Sequence, residues 1–382
     1  MENIVIKGMG LICAAADNKE NFAKALYQGK PGLDYTVFNT ADKQATLGRV
    51  KVKDESRKCD RILKMAGMAV EQALEQIDCR EMGLICATSL GGITSVEESF
   101  VRDIKGIEAG SLNLTPYPIP YMAKFLVKKY KLIGPAISFS SACVSSFVAI
   151  GYGLELLYSG VINKVLVCTA DTLCHQTIEG FKAIGASSNE PARPFDQERK
   201  GLNLGEGAAA VLLERVNHHV PGTVEITGYG LSNDGFHLTA PQPDGQGLQF
   251  AIERALEDSR IMPGEIDLIH AHGTGTKYND AMEIAVLERI FSESSIPVPI
   301  FSTKGQTGHT LGPSGLLALI GGCLALQHEI IPGTKNFVSS DIDLQHLELL
   351  AMSRRQCGLK NILITSSGFT GHNGALVARK VV

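Results

Sequence analysis

An α/β fold made of two copies of one strand-and-helix series is the architecture this sequence predicts, and three observations predict it. Strand-like runs alternate with helical stretches such as "DRILKMAGMAVEQALEQ" and "GLQFAIERALEDSR", the pattern of parallel β/α/β units. The runs "VLVCTA", "LIHAHG" and "ILITSS" are apolar at consecutive positions, as strands covered on both faces require. Segments of the first half also have counterparts, in the same order, in the second.

Taken along the chain, "NIVIKGMGLI" from Asn3 matches "TVEITGYGLS" from Thr223, and "EMGLICATSLGG" from Glu81 matches "EIDLIHAHGTGT" from Glu265. "AISFSSACVSSFVAIGYGLELLYSG" from Ala136 lines up with "PIFSTKGQTGHTLGPSGLLALIGGCLALQ" from Pro299. Each reads as a short β-rich run, a polar turn of small residues, then a helix whose small residues permit close packing. "NKVLVCTADTL" from Asn163 matches "NILITSSGFTG" from Asn361. Two copies would build two similar sheets. Pro and Gly interrupt the pattern in "VNHHVPGT", Val216 to Thr223, which divides the chain into halves 1–218 and 219–382.

Composition bounds the function. With 382 residues, 44% of them apolar, and 40 glycines, the chain has ample material for a core and for close backbone contacts. Lys plus Arg (36) against Asp plus Glu (40) leaves a net charge of −4, which argues against a nucleic-acid binder working through a broad basic face. Acidic and polar residues follow the start at once, unlike a signal peptide, so a cytoplasmic protein is expected. Nine cysteines without CxxC pairs indicate neither a disulfide framework nor a zinc site; no metal is expected. The apolar stretch "LLALIGGCLALQ" is too short to span a bilayer.

Cys143 stands where an extended run turns into a helix expected over about Val144 to Tyr158. Unpaired helix N–H groups and the positive dipole end favour a thiolate there, and Ser141, Ala142, Ser145 and Ser146 leave room for a substrate and an oxyanion. A small buried packing residue is the competing reading. A cysteine nucleophile needs a second group. His272, at the end of an apolar strand and followed by glycines, and His309, five residues after Lys304 and just before the helix that repeats the Cys143 helix, are the candidates. His270 is assigned to the opposite strand face, as a packed residue.

Read together, these blocks resemble a β-ketoacyl-[acyl carrier protein] synthase of the elongating, Cys-His-His type, within the thiolase-like superfamily. The resemblance runs nearly end to end through "GPAISFSSACVSS", "ARPFDQERKGLNLGEGAAAVLLE", "YGLSNDGFHLTAPQPDG", "HAHGTGTKYNDAME", "STKGQTGHTLGPSG" and "SSGFTGHNGALV". It implies a duplicated five-layer αβαβα fold. It further implies that Cys143 takes the acyl chain, that His272 and His309 stabilise charge during decarboxylation and condensation, and that Lys304 orders the site. Glu283 would hold that lysine. Phe369 would gate the cysteine and join its own N–H to that of Cys143 as an oxyanion hole, and Thr274 and Thr276 would bind the phosphopantetheine arm of an acyl carrier protein. No tightly bound cofactor is implied. Members are usually homodimers, and a heterodimer with a ketosynthase-like partner is the alternative.

The sequence departs from the family pattern in places. "GFTGHNG" stands where GFGGTN is common, so Thr370 and His372 are unusual; "HGTGTKYND" lacks the usual proline after its second threonine, and residues 90 to 125 are short. A polyketide, polyene or other specialised pathway therefore stands beside ordinary fatty acid elongation. Carrier proteins are acidic, and Arg57, Lys58 and Arg193 match docking positions, with Lys124, Lys128, Lys129 and Lys131 offering further cations. Three classes of function are compatible with the fold: a decarboxylating condensing enzyme, favoured by Cys143 with His272, Lys304 and His309; a coenzyme A-dependent thiolase, which would carry a second cysteine where "GFTGHNG" stands; and a non-condensing chain-length-factor-like partner, which typically lacks the nucleophile.

Overall fold

The computed structural model describes residues 3–37, 44–51, 60–75, 77–107, 110 and 112–382. The first half supplies β1 (Asn3–Cys13), β4 (Gly83–Ala87), β5 (Ala136–Phe139), β6 (Lys164–Asp171) and β7 (Gly207–Val216), with β2 (Asp34–Val37) and β3 (Gln44–Leu47) forming a separate ribbon. The second supplies β8 (Val224–Asn233), β9 (Leu268–His270), β10 (Val298–Phe301), β14 (Asn361–Ser367) and β15 (His372–Lys380). β12 (Leu347–Leu349) is added at its outer edge, and β11 (Ile330–Ile331) with β13 (Arg354–Arg355) forms a second ribbon.

Strand order exposes the duplication. Outward from the centre, the first half runs β1-β7-β6-β4-β5 and the second runs β8-β15-β14-β9-β10. Within each series the fourth and fifth strands are parallel to the third, and the second strand is antiparallel to its neighbours. The series meet through one antiparallel register pair, Val5 with Glu225, so the two expected sheets are joined edge to edge into one hydrogen-bonded run of eleven strands.

Side-chain alternation explains the continuous apolar runs. In β6, Val165 and Val167 face a central cluster, while Leu166 and Cys168 face an outer one under α2 (Arg61–Leu74) and α4 (Tyr121–Tyr130). In β14, Ile362 and Ile364 face the same centre, and Leu363 faces outward to α7 (Gln246–Ser259) and α8 (Lys277–Ile290). The centre holds α5 (Ser145–Tyr158) and α10 (Ser314–His328), with α1 (Lys19–Gln28) against α10. α5 packs on β4 and β6 and also on β15 and β8 of the other half; α10 packs on β14 and also on β7. Helix, sheet, helix, sheet, helix is the resulting five-layer order. Three further helices, α3 (Ile93–Ile104), α6 (His175–Ala183) and α9 (Lys304–Thr307), lie on the connections.

The copies agree in fine detail. β1 bulges between Ile6 and Gly8, and β8 bulges between Ile226 and Gly228. Just after each bulge a glycine lets a helix settle on the strand: a Cβ on Gly8 would overlap the Ala73 carbonyl of α2, and one on Gly228 the Ala255 carbonyl of α7. Among the described residues, eight cysteines are free thiols, and no helix is long and apolar enough to cross a membrane.

Candidate active site

Cys143 sits in the turn between β5 and α5, which begins at Ser145, one residue inside the expected boundary. The turn is fixed by Ala142, whose φ of +46° lies in the left-handed region that disfavours a side chain. Its carbonyl accepts hydrogen bonds from Ser145 Oγ at 2.6 Å and Ser89 Oγ at 3.0 Å, while Ser145 Oγ accepts the Ser141 N–H at 2.8 Å. These bonds hold the next residue, Cys143, with the N–H groups of Cys143 and Phe369 directed at its sulfur. The expectation of a resting thiolate is overturned. Burial pushes the thiol up to about 11, against the downward pull of the Lys304 charge and the Phe369 N–H, so the resting group carries its proton.

His272 follows β9 by two residues. Its N–H and that of Gly273 each donate to a carboxylate oxygen of Glu283, at 2.7 and 2.8 Å, and Thr365 Oγ1 donates to the same carboxylate at 2.7 Å. Lys304, from α9, donates through Nζ to the His272 carbonyl and lies 3.3 Å from its Nδ1. An ammonium beside Nδ1 makes that nitrogen the acceptor and leaves the ring proton on Nε2. His309 reaches the same state by other means: its Nδ1 accepts the Leu311 N–H at 3.2 Å and lies 2.9 Å from Ser314 Oγ. The two imidazoles meet edge to face, with centroids 5.2 Å apart. Burial and the Lys304 charge hold both well below the ordinary histidine range, so each is a neutral N–H donor. Lys304 itself is lowered to about 8, chiefly by burial, with the Glu283 charge opposing.

The way Glu283 acts on Lys304 is refined, and the reason given for His270 is corrected while its place as a packed residue stands. Glu283 binds backbone N–H groups and Thr365, and it acts on Lys304 through its charge rather than through a hydrogen bond among those described. Strand alternation does not part His270 from His272, because residues two apart share a face. β9 ends at His270, which is buried against Phe301 with ring centroids 4.4 Å apart, and the backbone then leaves the strand and carries His272 into the site.

Superposing the repeat on its helix starts makes Gly312 the counterpart of Cys143. Each stands two residues before the first helical residue, and each follows a residue of positive φ, Ala142 at +46° and Leu311 at +60°. The strand residues facing these turns are exchanged in size. Strand pairing makes Lys164 the counterpart of Asn361, one residue on from the sequence match of Asn163 with Asn361. The eighth residue from Lys164 is Asp171, which accepts the Gly312 N–H at 2.9 Å, and the eighth from Asn361 is Gly368, where a Cβ would lie 3.5 Å from that of Cys143. Asp171 also accepts Thr88 Oγ1 at 2.6 Å and the N–H groups of Ser89 and Leu90. Burial raises its carboxyl to about 6 despite these bonds. Asp171, Ser314 and Thr365 are site residues that the sequence reading missed; the one acid ending an apolar strand was the only available signal.

Cys143, His272, His309, Thr274, Thr276 and Phe369 line one cavity of about 440 Å³. The hydroxyls of Thr274 and Thr276 are 2.8 Å apart, and the N–H of Thr274 is held by Asp280 at 3.0 Å. The Phe369 ring stacks on Phe181 at 5.2 Å, covering the cavity beside the thiol. Thr370 holds a φ of +69°, and Asn233 Nδ2 lies 3.2 Å from His372 Nδ1. Of the docking residues, Arg193 does not line this cavity and is paired with Glu198 at 3.2 Å, while Arg57 and Lys58 lie outside the described residues. Lys124, Lys128, Lys129 and Lys131 are exposed on or beside α4, with Lys129 paired to Glu71 at 2.7 Å.

Comparison with known proteins gives a consistent picture. The family model "Beta-ketoacyl synthase, N-terminal domain" matches residues 1–219, and "Beta-ketoacyl synthase, C-terminal domain" matches residues 223–338. The 3-oxoacyl-[acyl-carrier-protein] synthase 2 of Coxiella burnetii is 28% identical, over 99% of this chain and 98% of the relative. Among solved structures, a ketosynthase (ApeO) in complex with its chain length factor (ApeC) from Xenorhabdus doucetiae superposes with a TM-score of 0.88 at 31% identity, over 100% of this chain and 98% of that one. A type II polyketide synthase complex of an acyl-carrier protein with its ketosynthase bound to the hexaketide gives 0.90 at 25% identity, covering both chains fully.

Proposed function

The chain belongs to the β-ketoacyl synthase family, and on that premise we propose that it condenses an acyl thioester with malonyl-carrier protein, in fatty acid or polyketide synthesis, to give 3-oxoacyl-carrier protein. The observation that carries this reading is the convergence of one thiol and two neutral N–H donors on a single cavity.

In the first half-reaction the sulfur of Cys143 attacks the acyl thioester carbonyl, and the carrier sulfur leaves. The thiol proton of Cys143 ends on the released carrier thiol, so one thioester replaces another. The N–H groups of Cys143 and Phe369, already aimed at the sulfur, are placed to meet the tetrahedral oxyanion. In the second half-reaction malonyl-carrier loses CO2, and the electron pair of the broken C–C bond forms an enolate. The Nε2–H groups of His272 and His309 stabilise its oxygen as neutral donors, without the full counter-charge that would quench the carbon nucleophile. That carbon attacks the acyl-cysteine, the Cys143 sulfur leaves as thiolate, and one proton restores the resting thiol. Lys304 keeps both imidazoles neutral and fixes the His272 tautomer. Thr274 and Thr276 are the proposed seats for the phosphopantetheine arm, a substrate handle rather than a resident cofactor.

The partners follow from the surface. β5 forms one edge of the eleven-stranded run, and Phe100, Ile104, Ile107, Leu114 and Tyr117, on α3 and the segment after it, are each more than half exposed. A second ketosynthase-like subunit, identical or of the chain-length-factor kind, is the proposed occupant of that edge. An acidic acyl carrier protein would dock at Arg193, with Arg57 and Lys58, and the proposed setting is the cytoplasm. The test incubates the protein with acyl- and malonyl-carrier thioesters. CO2 release with 3-oxoacyl product is expected, whereas acylation of Cys143 with no product from any malonyl donor would sink the reading.

A further inference from the structure

The Ser367 hydroxyl is buried in the wall of the catalytic cavity and has no hydrogen-bond partner among the described residues. Two other cavity groups are differently placed: the hydroxyls of Thr274 and Thr276 are within bonding distance of each other, and the Asn373 amide donates to Asp234 and to the Gly371 carbonyl. Arg199 Nε, in the same lining, shares the lack of a partner among the described residues. A buried hydroxyl left unpaired is costly, so a group that enters the cavity, a water or a substrate oxygen, is the natural partner for it.

Strand geometry says which substrate. Side chains two apart on β14 share a face, so Ser367 lies on the same side as Thr365, about 6.6 Å further along. Thr365 bonds Glu283 and faces the His272 N–H at 3.2 Å. Ser366, on the opposite face, donates instead to the Cys143 carbonyl at 3.4 Å. Ser367 therefore belongs to the His272 side of the cavity, where the carbanion is generated, and not to the wall that holds the acyl-cysteine.

We infer that Ser367 binds the extender unit, its O–H donating to an oxygen of the malonyl thioester and setting that unit against the two imidazoles. This rests on the condensing reading above. The experiment follows full-length wild-type protein, Ser367→Ala and Ser367→Thr through three measurements: acylation of Cys143 by intact mass, CO2 release against malonyl-carrier concentration, and the thermal midpoint. Ser367→Ala should raise the KM for malonyl-carrier about 3- to 10-fold, the worth of one neutral hydrogen bond, with acylation and thermal midpoint unchanged. Ser367→Thr, which keeps the O–H, should return KM to within about twofold of wild type. An unchanged malonyl KM in Ser367→Ala, or a defect confined to acylation, overturns the inference while the condensing reading stands. A wild-type protein that acylates Cys143 yet releases no CO2 overturns both.

Discussion

The turn before α5 and the turn before α10 occupy equivalent places in the two halves, yet they do different work. Five residues, 140–144, link β5 to α5, and twelve, 302–313, link β10 to α10. The extra length holds α9 and with it Lys304, followed by His309. The first helical residue is serine in both, and its use differs: Ser145 Oγ ties down the backbone around Ala142, whereas Ser314 Oγ lies against an imidazole. A short turn with a hydroxyl clamp suits a nucleophile that must not move. A long one suits a cation and an imidazole that must reach across to the end of β9. The comparison teaches that the repeat supplies a pair of converging helix entrances, and that loop length decides which chemistry each entrance bears.

Removing the short turn's thiol is the most drastic way to break this division. Cys143→Ala should lower acyl transfer by at least about 10³-fold, and intact-mass spectrometry should find no acyl adduct on the variant. An adduct would refute the nucleophile assignment. His309→Ala attacks the long turn alone: decarboxylation of malonyl-carrier should fall about 10²- to 10³-fold while Cys143 is still acylated. Equal loss in both half-reactions would show that the halves do not divide the work.

Gly312→Ala probes the pairing of turn with strand end. The new Cβ would stand 2.6 Å from Asp171 Oδ2, and the expected cost is about 1–3 kcal/mol, read as a lower midpoint in denaturant unfolding. The mildest test uses pH. Lys304, lowered to about 8, is charged below that value and loses its proton above it, so condensation that depends on the cation should be full below pH 8 and decline above it. Alkylation of Cys143 should climb through the same range, because the thiol sits near 11. A wild-type alkaline limb that persists in Lys304→Met would assign the decline to another group.

Much of this was legible in the sequence because it is written in local pattern. Matched segments gave the two-copy α/β organisation, and the series of motifs resembling a β-ketoacyl synthase implied the chemistry of Cys143, His272, Lys304 and His309. Burial was not legible. The same turn that promised a thiolate is enclosed deeply enough to keep the thiol protonated, and helix position alone does not reveal that. Nor could pattern separate His270 from His272, since the strand's last residue decides it. Asp171 and Ser367 escaped notice for a related reason: one is defined by what it holds from the other half, and the other by a partner it lacks.

The exchange of size across the two turns constrains how such a molecule could have arisen. Cysteine faces glycine at one seat, and glycine faces aspartate at the other. An ancestor of two identical halves would have had to repeat one of these pairings at both seats, and so could hold two thiols and no clamp or two clamps and no thiol. Two halves in one chain are free to differ at these seats, and at the Gly312 seat, where a Cβ would come within 2.6 Å of Asp171 Oδ2, a change on one side is tied to a change on the other. Asymmetry at this centre is a packing condition as much as a chemical one.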